Sequence, residues 1–252
     1  MYITFLSLSP QTMEPFFSEG VLGRAVQEGR LEIRSTNIRD FATDKHRVVD
    51  DSPYGGGAGM LLKPDIVALA IENAQKICQG KGLTPKVILT SPRGRPFNQA
   101  TAQELSAQDS LIFVCGQYEG IDQRISDLFV DMEISLGDFV LSGGEIAACA
   151  IANSICRLLP GMLGDDSSAL NDSFSNQLLE YPQYTRPPIF RGYSVPSVLL
   201  SGNHEKIAHW RWEQSFLHTA SIRPDMLRDF DYTTLNKAQL KFVSQLRKQL
   251  QF

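Results

Sequence analysis

The sequence predicts an α/β domain, a parallel sheet layered between helices, followed by a small and mostly helical domain. Three observations lead there. Residues 86–90 and 111–115 are short, continuous apolar runs, which suit strands covered on both faces and not half-exposed ones. Helix-like segments alternate with these runs through the first 160 residues. Beyond residue 160 the composition shifts to Gly, Asp, Ser and Asn before helical patterning resumes.

Taken in order, residues 2–8 read as a strand and 15–29 as a helix. Residues 65–79 place Ile66, Leu69, Ala70 and Ile77 at helical spacing. The strand at 86–90 is followed by a probable helix over 98–106 with Asn98 as its cap. The strand at 111–115 comes next, then a strand over 128–135, then an apolar helix over 145–159. Residues 161–176 read as a mobile linker. Residues 181–188 form a proline-stiffened extended segment. Helices over 204–217 and 233–251 complete the chain. The expected organisation is a domain over 1–160, a linker over 161–176 and a helical domain over 177–252.

At 252 residues the chain is long enough for one large or two modest cores. Hydrophobic content of 42% and charged content of 21% fit a soluble globular protein. The start lacks a basic n-region, and the longest apolar stretch carries Asn153, Ser154 and Arg157, so neither a signal peptide nor a membrane span is expected. Cytoplasm is the default, with no membrane partner. Cys78, Cys115, Cys149 and Cys156 show no metal-binding spacing and read as buried small hydrophobes. The four histidines offer no zinc set, so no metal ligand is assigned. Net charge is −4, but residues 201–252 carry eight Lys/Arg against five Asp/Glu, a mildly basic end that permits a nucleic-acid contact.

Three predicted strands end in similar loops. These are Thr90-Ser91-Pro92-Arg93-Gly94, Gly116-Gln117-Tyr118-Glu119-Gly120 and the stretch at 136–144. Ligands of open parallel sheets bind beyond the carboxyl ends of strands, so three such loops converging on one edge would wall one pocket. The third loop opens a helix through Gly143 and Gly144, leaving free N–H groups there. Its spacing is not the dinucleotide fingerprint. The glycine-rich segment at 53–60 is either a flexible surface loop or bare backbone near a polar substrate, and it is no P-loop. Glu119 reads either as a cap for the next helix or as a group facing the pocket. Asp172, followed by Ser173, reads on sequence physics as the N-cap of a helical run over 173–180. Arg157 reads as a solvated residue near a helix C-terminus.

Seven blocks occur in the order and spacing of the bacterial tRNA (guanine-37-N1)-methyltransferases, a family of the SPOUT class. They are PYGGGAGM (53–60), LTSPRG (89–94), VCGQYEGID (114–122), ISLGDFVLSGGE (134–145), NDSF (171–174), YTRP (184–187) and VLLSGNH (198–204). The chain resembles that family from residue 2 to about 228. The resemblance implies a homodimer with its active site at the subunit interface, and a deep trefoil knot in the N-terminal domain. It implies S-adenosylmethionine held in a bent form by Leu89, Thr90, Ser91, Pro92, Gly116, Tyr118 and Glu119. The third wall would come from Ser135, Leu136, Gly137, Asp138, Phe139, Val140 and Leu141, with Gly143 and Gly144 opening the following helix.

N1 of guanine still bears a proton, so its methylation needs a base, and the charge growing on O6 needs a donor. The resemblance assigns these roles to Asp172 and Arg157, and the positioning of guanosine-37 to Glu119. For the tRNA anticodon stem-loop it points to His46 and Arg47 and to the C-terminal domain, where Ser201, Gly202, Asn203, His204, Lys206 and Arg211 are the positional candidates. Trp210 either stacks on a base or sits in the helical core. Mg²⁺ is implied as a further component, with no carboxylate cluster to fix its site. Gln117 stands where the family usually has arginine, Ala58 where it has proline, and Asn171 where an acid often precedes the base. Ile134 and Asp165 depart similarly, from a frequent aromatic and a frequent histidine. The alternative within the class is methylation of another RNA position or of a ribose 2′-hydroxyl.

Overall fold

The computed structural model describes residues 1–162 and 172–250. The chain divides into two compact units, Met1–Asp166 and Ser167–Phe252.

The first unit is built on a five-stranded parallel sheet in the order β2-β1-β6-β5-β7. Its strands are β1 (Tyr2–Ser7), β2 (Glu32–Asn37), β5 (Lys86–Pro96), β6 (Ser110–Cys115) and β7 (Met132–Ser135), and the short hairpin β3 (Asp50–Asp51) and β4 (Leu61–Leu62) lies outside it. The continuous apolar runs have the reason the sequence suggested. On β6, Leu111, Phe113 and Cys115 enter one hydrophobic core while Ile112 and Val114 enter the other, so every side chain of the strand is buried. One core is closed by α1 (Gly20–Gln27), α3 (Gln99–Ser106) and α5 (Glu145–Cys156), with Phe5 stacked on Phe113 at 5.4 Å between ring centroids. The other is closed by α2 (Pro64–Gly80) and α4 (Gln123–Phe129), through Ile66, Val67, Ile71 and Ile125. Asn98 caps α3 as expected, accepting from the Thr101 amide at 2.9 Å.

Several boundaries differ from the sequence reading. The strand expected over 128–135 begins only at Met132, because Asp122 accepts from the Arg124 amide at 3.0 Å and starts α4, which takes Leu128 and Phe129 into a helix. A short apolar run does not by itself distinguish these outcomes. The helix expected over 15–29 is two pieces, a 3₁₀ turn at Glu14–Phe17 and then α1, broken where Gly20 takes a φ of 64°. The strand expected to stop at residue 90 continues to Pro96. Thr90 and Arg95 both pair with Ile134, so the intervening residues bulge out of the β5–β7 ladder. Gly94 brings the chain back so tightly that a Cβ there would lie 2.4 Å from the Ile134 nitrogen.

The second unit contains α6 (His204–Ile222), five residues longer at its C-terminus than expected, α7 (Lys237–Leu250), and a hairpin of β8 (Ile189–Phe190) and β9 (Tyr193–Ser194). Its core is small and aromatic. Phe216 and Phe230 meet edge to face at 5.9 Å, with Leu178, Val243 and the half-buried Trp212 around them. No helix forms over 173–180. Phe174 and Gln177 take φ values of 75° and 59°, which an α-helix excludes, and the segment is a series of turns.

Candidate active site

The three strand-end loops do meet, and they wall one cavity of about 520 Å³ wholly inside the first unit. Their junction is made by backbone. The Gly144 amide donates to the Gly116 carbonyl at 2.8 Å, and Gln117 forms an antiparallel bridge with Gly143. Thr90 Oγ1 donates towards the Gly144 carbonyl at 3.2 Å and the Val114 carbonyl at 3.3 Å, tying the first loop to the other two. These contacts demand glycine. A Cβ on Gly144 would lie 2.2 Å from Thr90 Oγ1 and 2.9 Å from the Gly116 nitrogen. The third loop is braced internally, since Ser135 Oγ accepts from the Gly137 amide at 3.2 Å.

Leu89, Thr90, Ser91, Pro92, Gly116, Tyr118, Glu119, Ser135, Leu136, Phe139, Val140, Leu141, Gly143 and Gly144 line the cavity. Gly137 and Asp138 do not; they shape the loop between Leu136 and Phe139. Tyr118 is held at a φ of 58°, a left-handed conformation uncommon for an aromatic residue, and its ring is half exposed at the wall. Arg93 of the first loop lines it as well, whereas sequence reasoning missed Leu61, Ile121, Gln123, Ile134 and Ala147, which also line it. Ile134 and Ala147 adjoin the loops and follow from strand and helix periodicity. Leu61 arrives through the β3–β4 hairpin, for which no local signal existed.

Glu119 is exposed at the cavity wall and does not cap α4; Asp122 does. The glycine-rich segment reaches it. The Glu119 amide donates to the Met60 carbonyl at 3.0 Å, and a Cβ on Gly59 would lie 2.3 Å from Glu119 Cγ. The segment at 53–60 therefore packs on the one carboxylate side chain that lines this cavity.

Behind the wall lies Glu145, the first residue of α5, only 7% exposed. It accepts from Ser7 Oγ at 2.5 Å, and Gln117 Nε2 lies 3.0 Å from each of its oxygens. Burial, reinforced by the Glu145 charge, pushes the Cys149 thiol up to about 12 and the Cys115 thiol up as well. All four cysteines are free and buried, as the sequence reading held.

Arg157 sits outside the cavity. It is the C-cap of α5, exposed, and twelve residues of helix separate it from the Gly144 end, about 18 Å at 1.5 Å per residue. Asp172 belongs to the second unit, where its carbonyl accepts from the Ser175 amide at 3.2 Å in a turn, so it is no helix cap. It lines a polar groove of about 660 Å³ in that unit, together with Tyr181, Arg211, Trp212 and Asp231. Asn171 and Asp165 lie outside the described residues, as does most of the segment read as a linker.

His46 and Arg47 are exposed on a turn braced by Asp44, whose carboxylate accepts from the His46 and Val48 amides at 2.9 Å each. Ser201, Gly202 and Asn203 form the entry to α6. Asn203 caps it by accepting from the Lys206 amide at 3.0 Å, and Gly202 takes a φ of 68°. His204 and Lys206 are exposed on the first turn, and Arg211 lies over the Tyr181 ring at 4.9 Å. Trp210 is half-buried and 6.4 Å from Tyr184, outside the aromatic core; Trp212 is the core tryptophan. Among the described residues no cluster of His, Cys, Asp or Glu is arranged to hold a metal ion, and no helix is long and apolar enough to cross a membrane.

Comparison with known proteins points one way. The family model described as tRNA (Guanine-1)-methyltransferase TrmD matches residues 1–229. A tRNA (guanine-N(1)-)-methyltransferase of Geotalea uraniireducens (strain Rf4) is 52% identical over 241 residues, 96% of each chain. Proteins of the same name from Geobacter sp. (strain M21) and Dehalococcoides mccartyi (strain ATCC BAA-2266 / KCTC 15142 / 195) are 49% and 48% identical, covering 98% of this chain and 97% of theirs.

Proposed function

The chain belongs to the tRNA (guanine-1)-methyltransferase family, and from that premise we propose that it transfers a methyl group from S-adenosylmethionine to N1 of guanosine-37, beside the anticodon of tRNA. The observation that carries the donor half is the single cavity walled by the loops after Leu89, Cys115 and Ile134. Its volume falls in the range of small-molecule sites. Its wall is largely apolar side chain and glycine backbone, with Arg93 and Glu119 as its charged side chains, which fits a ligand that is part purine, part amino acid. Bound there, S-adenosylmethionine supplies an electrophilic methyl group on a sulfonium sulfur.

The chain's own residues do the rest. Asp172 takes the proton from N1, because the lactam nitrogen has no free lone pair in its neutral form. Arg157 donates to O6, where the negative charge collects. Glu119, held by the Met60 carbonyl and packed beneath Gly59, orients the guanine edge. Holding nucleophile and methyl donor in line supplies much of the acceleration. We further infer that the chain works in the cytoplasm as a homodimer, in which one copy completes the donor cavity of the other. The placement of Arg157 at the opposite end of α5 from its own cavity supports this. The strand order, with β5 between two later strands, is compatible with the knotted topology that belongs to the same reading. The RNA surface would be His46 and Arg47 on one unit, and Ser201, Gly202, Asn203, His204, Lys206 and Arg211 on the other. Mg²⁺ belongs to the same reading as a further component, with no site assigned to it.

The test uses labelled donor and tRNA transcripts that differ only in the guanine after the anticodon. Label found at N1 of that base by nucleoside mass spectrometry supports the reading. Incorporation that ignores the base, or label on a ribose 2′-oxygen, overturns it.

A further inference from the structure

Glu145 is a buried carboxyl with no cationic partner among the described residues. Every group that touches its carboxylate is a donor. The Gln117 amide reaches both oxygens, and Ser7 Oγ donates to Oε1 at 2.5 Å while accepting from the Ser9 amide at 2.8 Å. Both oxygens therefore accept, which is the pattern of the ionised form. The donors are neutral, and no ion pair of the described residues includes Glu145. The α5 N-terminus offers only a partial positive charge. A carboxylate taken out of water this way is costly unless a cation offsets it.

The space beside it is the donor cavity. Gly143, Gly144 and Gln117 all line that cavity, and a Cβ on Gly143 would sit 2.4 Å from Glu145 Oε2. Gly143 and the Gln117 amide thus each touch both the Glu145 carboxylate region and the ligand space. In methyl transfer the S–CH₃ bond breaks with its electron pair staying on sulfur, so the ligand enters with a cationic sulfonium and leaves with a neutral thioether. The two therefore differ in their attraction to a fixed negative charge.

We propose that Glu145 is a specificity-determining residue whose buried charge makes the cavity favour the cationic methyl donor over its neutral thioether product. This rests on the reading that the cavity takes S-adenosylmethionine. Gln117 holds the carboxylate in place without cancelling its charge, as a lysine or arginine in that position would.

Calorimetry on the full chain tests it, with S-adenosylmethionine and S-adenosylhomocysteine as the two probes. Glu145→Gln keeps the shape and removes the charge; it should weaken the sulfonium ligand about tenfold and leave the thioether within about twofold. Gln117→Arg sets a guanidinium against an intact Glu145 and should shift the preference in the same direction; it decides the matter alone if Glu145→Gln does not fold. Equal losses for both ligands, or no change in either, would overturn the proposal and leave Glu145 a purely structural brace. Wild-type protein that binds neither ligand would instead remove the donor reading and this proposal with it.

Discussion

The cavity proposed to hold the donor and the groups proposed for the proton chemistry are built in opposite ways. The cavity is assembled within one unit by backbone contacts, the Gly144–Gly116 hydrogen bond and the Gln117–Gly143 bridge, and its loops follow strands that feed both hydrophobic cores. Arg157 ends a helix of the first unit and is exposed, whereas Asp172 sits half-exposed in a turn of the second. On the proposed reading, the contrast makes binding the donor and activating the acceptor separable tasks. The first needs a rigid frame in a single chain. The second waits for other parts to arrive.

If the two tasks are separate, Asp172→Ala should lower single-turnover methyl transfer by about 10²–10⁴-fold while donor affinity by calorimetry stays within about twofold. Arg157→Ala should lose about 10²–10³-fold by the same assay. A parallel collapse in donor affinity would break the comparison at its root. The converse substitution is Gly144→Ala, which drives a Cβ onto Thr90 Oγ1 and the Gly116 backbone. It should abolish detectable donor binding and cost about 1–3 kcal/mol in urea denaturation; unchanged binding would show that the junction is slack.

The thiols sharpen the picture of the frame. Cys149 and Cys156 are pushed up to about 12 by burial, so folding favours their neutral form. Their contribution to stability is full below the ordinary thiol value near 9 and is lost as pH rises from there towards 12. At pH 8 the native protein should therefore resist iodoacetamide, and alkylation should follow unfolding in urea. The smallest effect is expected at Asn203. Removing this cap of α6 by Asn203→Ala should cost about 1 kcal/mol with donor affinity unmoved, because the cap belongs to the second unit.

Much of the frame could be read from residues alone, for physical reasons. Buried parallel strands must be apolar throughout, so residues 86–90 and 111–115 announced themselves, and their polar ends pointed to one shared pocket. The failures were equally physical. Leu128 and Phe129 look the same to a strand or a helix, and the choice was made by Asp122 capping six residues earlier. The run after Asp172 has helical composition, yet left-handed Phe174 and Gln177 turn it aside through contacts that no local pattern encodes. Glu145 and Gln117 lie 28 residues apart, and nothing in either stretch reveals that they are partners. The resemblance supplied roles for Asp172 and Arg157 where sequence physics offered only a cap and a solvated cation.

The bulge inside β5 bears on how a ligand enters. Ser91, Pro92 and Arg93 form a wall of the cavity, and the strand is paired to β7 both before them, at Thr90, and after them, at Arg95. A loop hinged at one end can swing like a door; this one is pinned at both, like the handle of a cup. Opening it would mean unzipping ladder hydrogen bonds on one side or the other. A donor bound as proposed would then enter past the freer wall, where Phe139 and Val140 stand exposed, with residues 91–93 as the fixed side of the cavity.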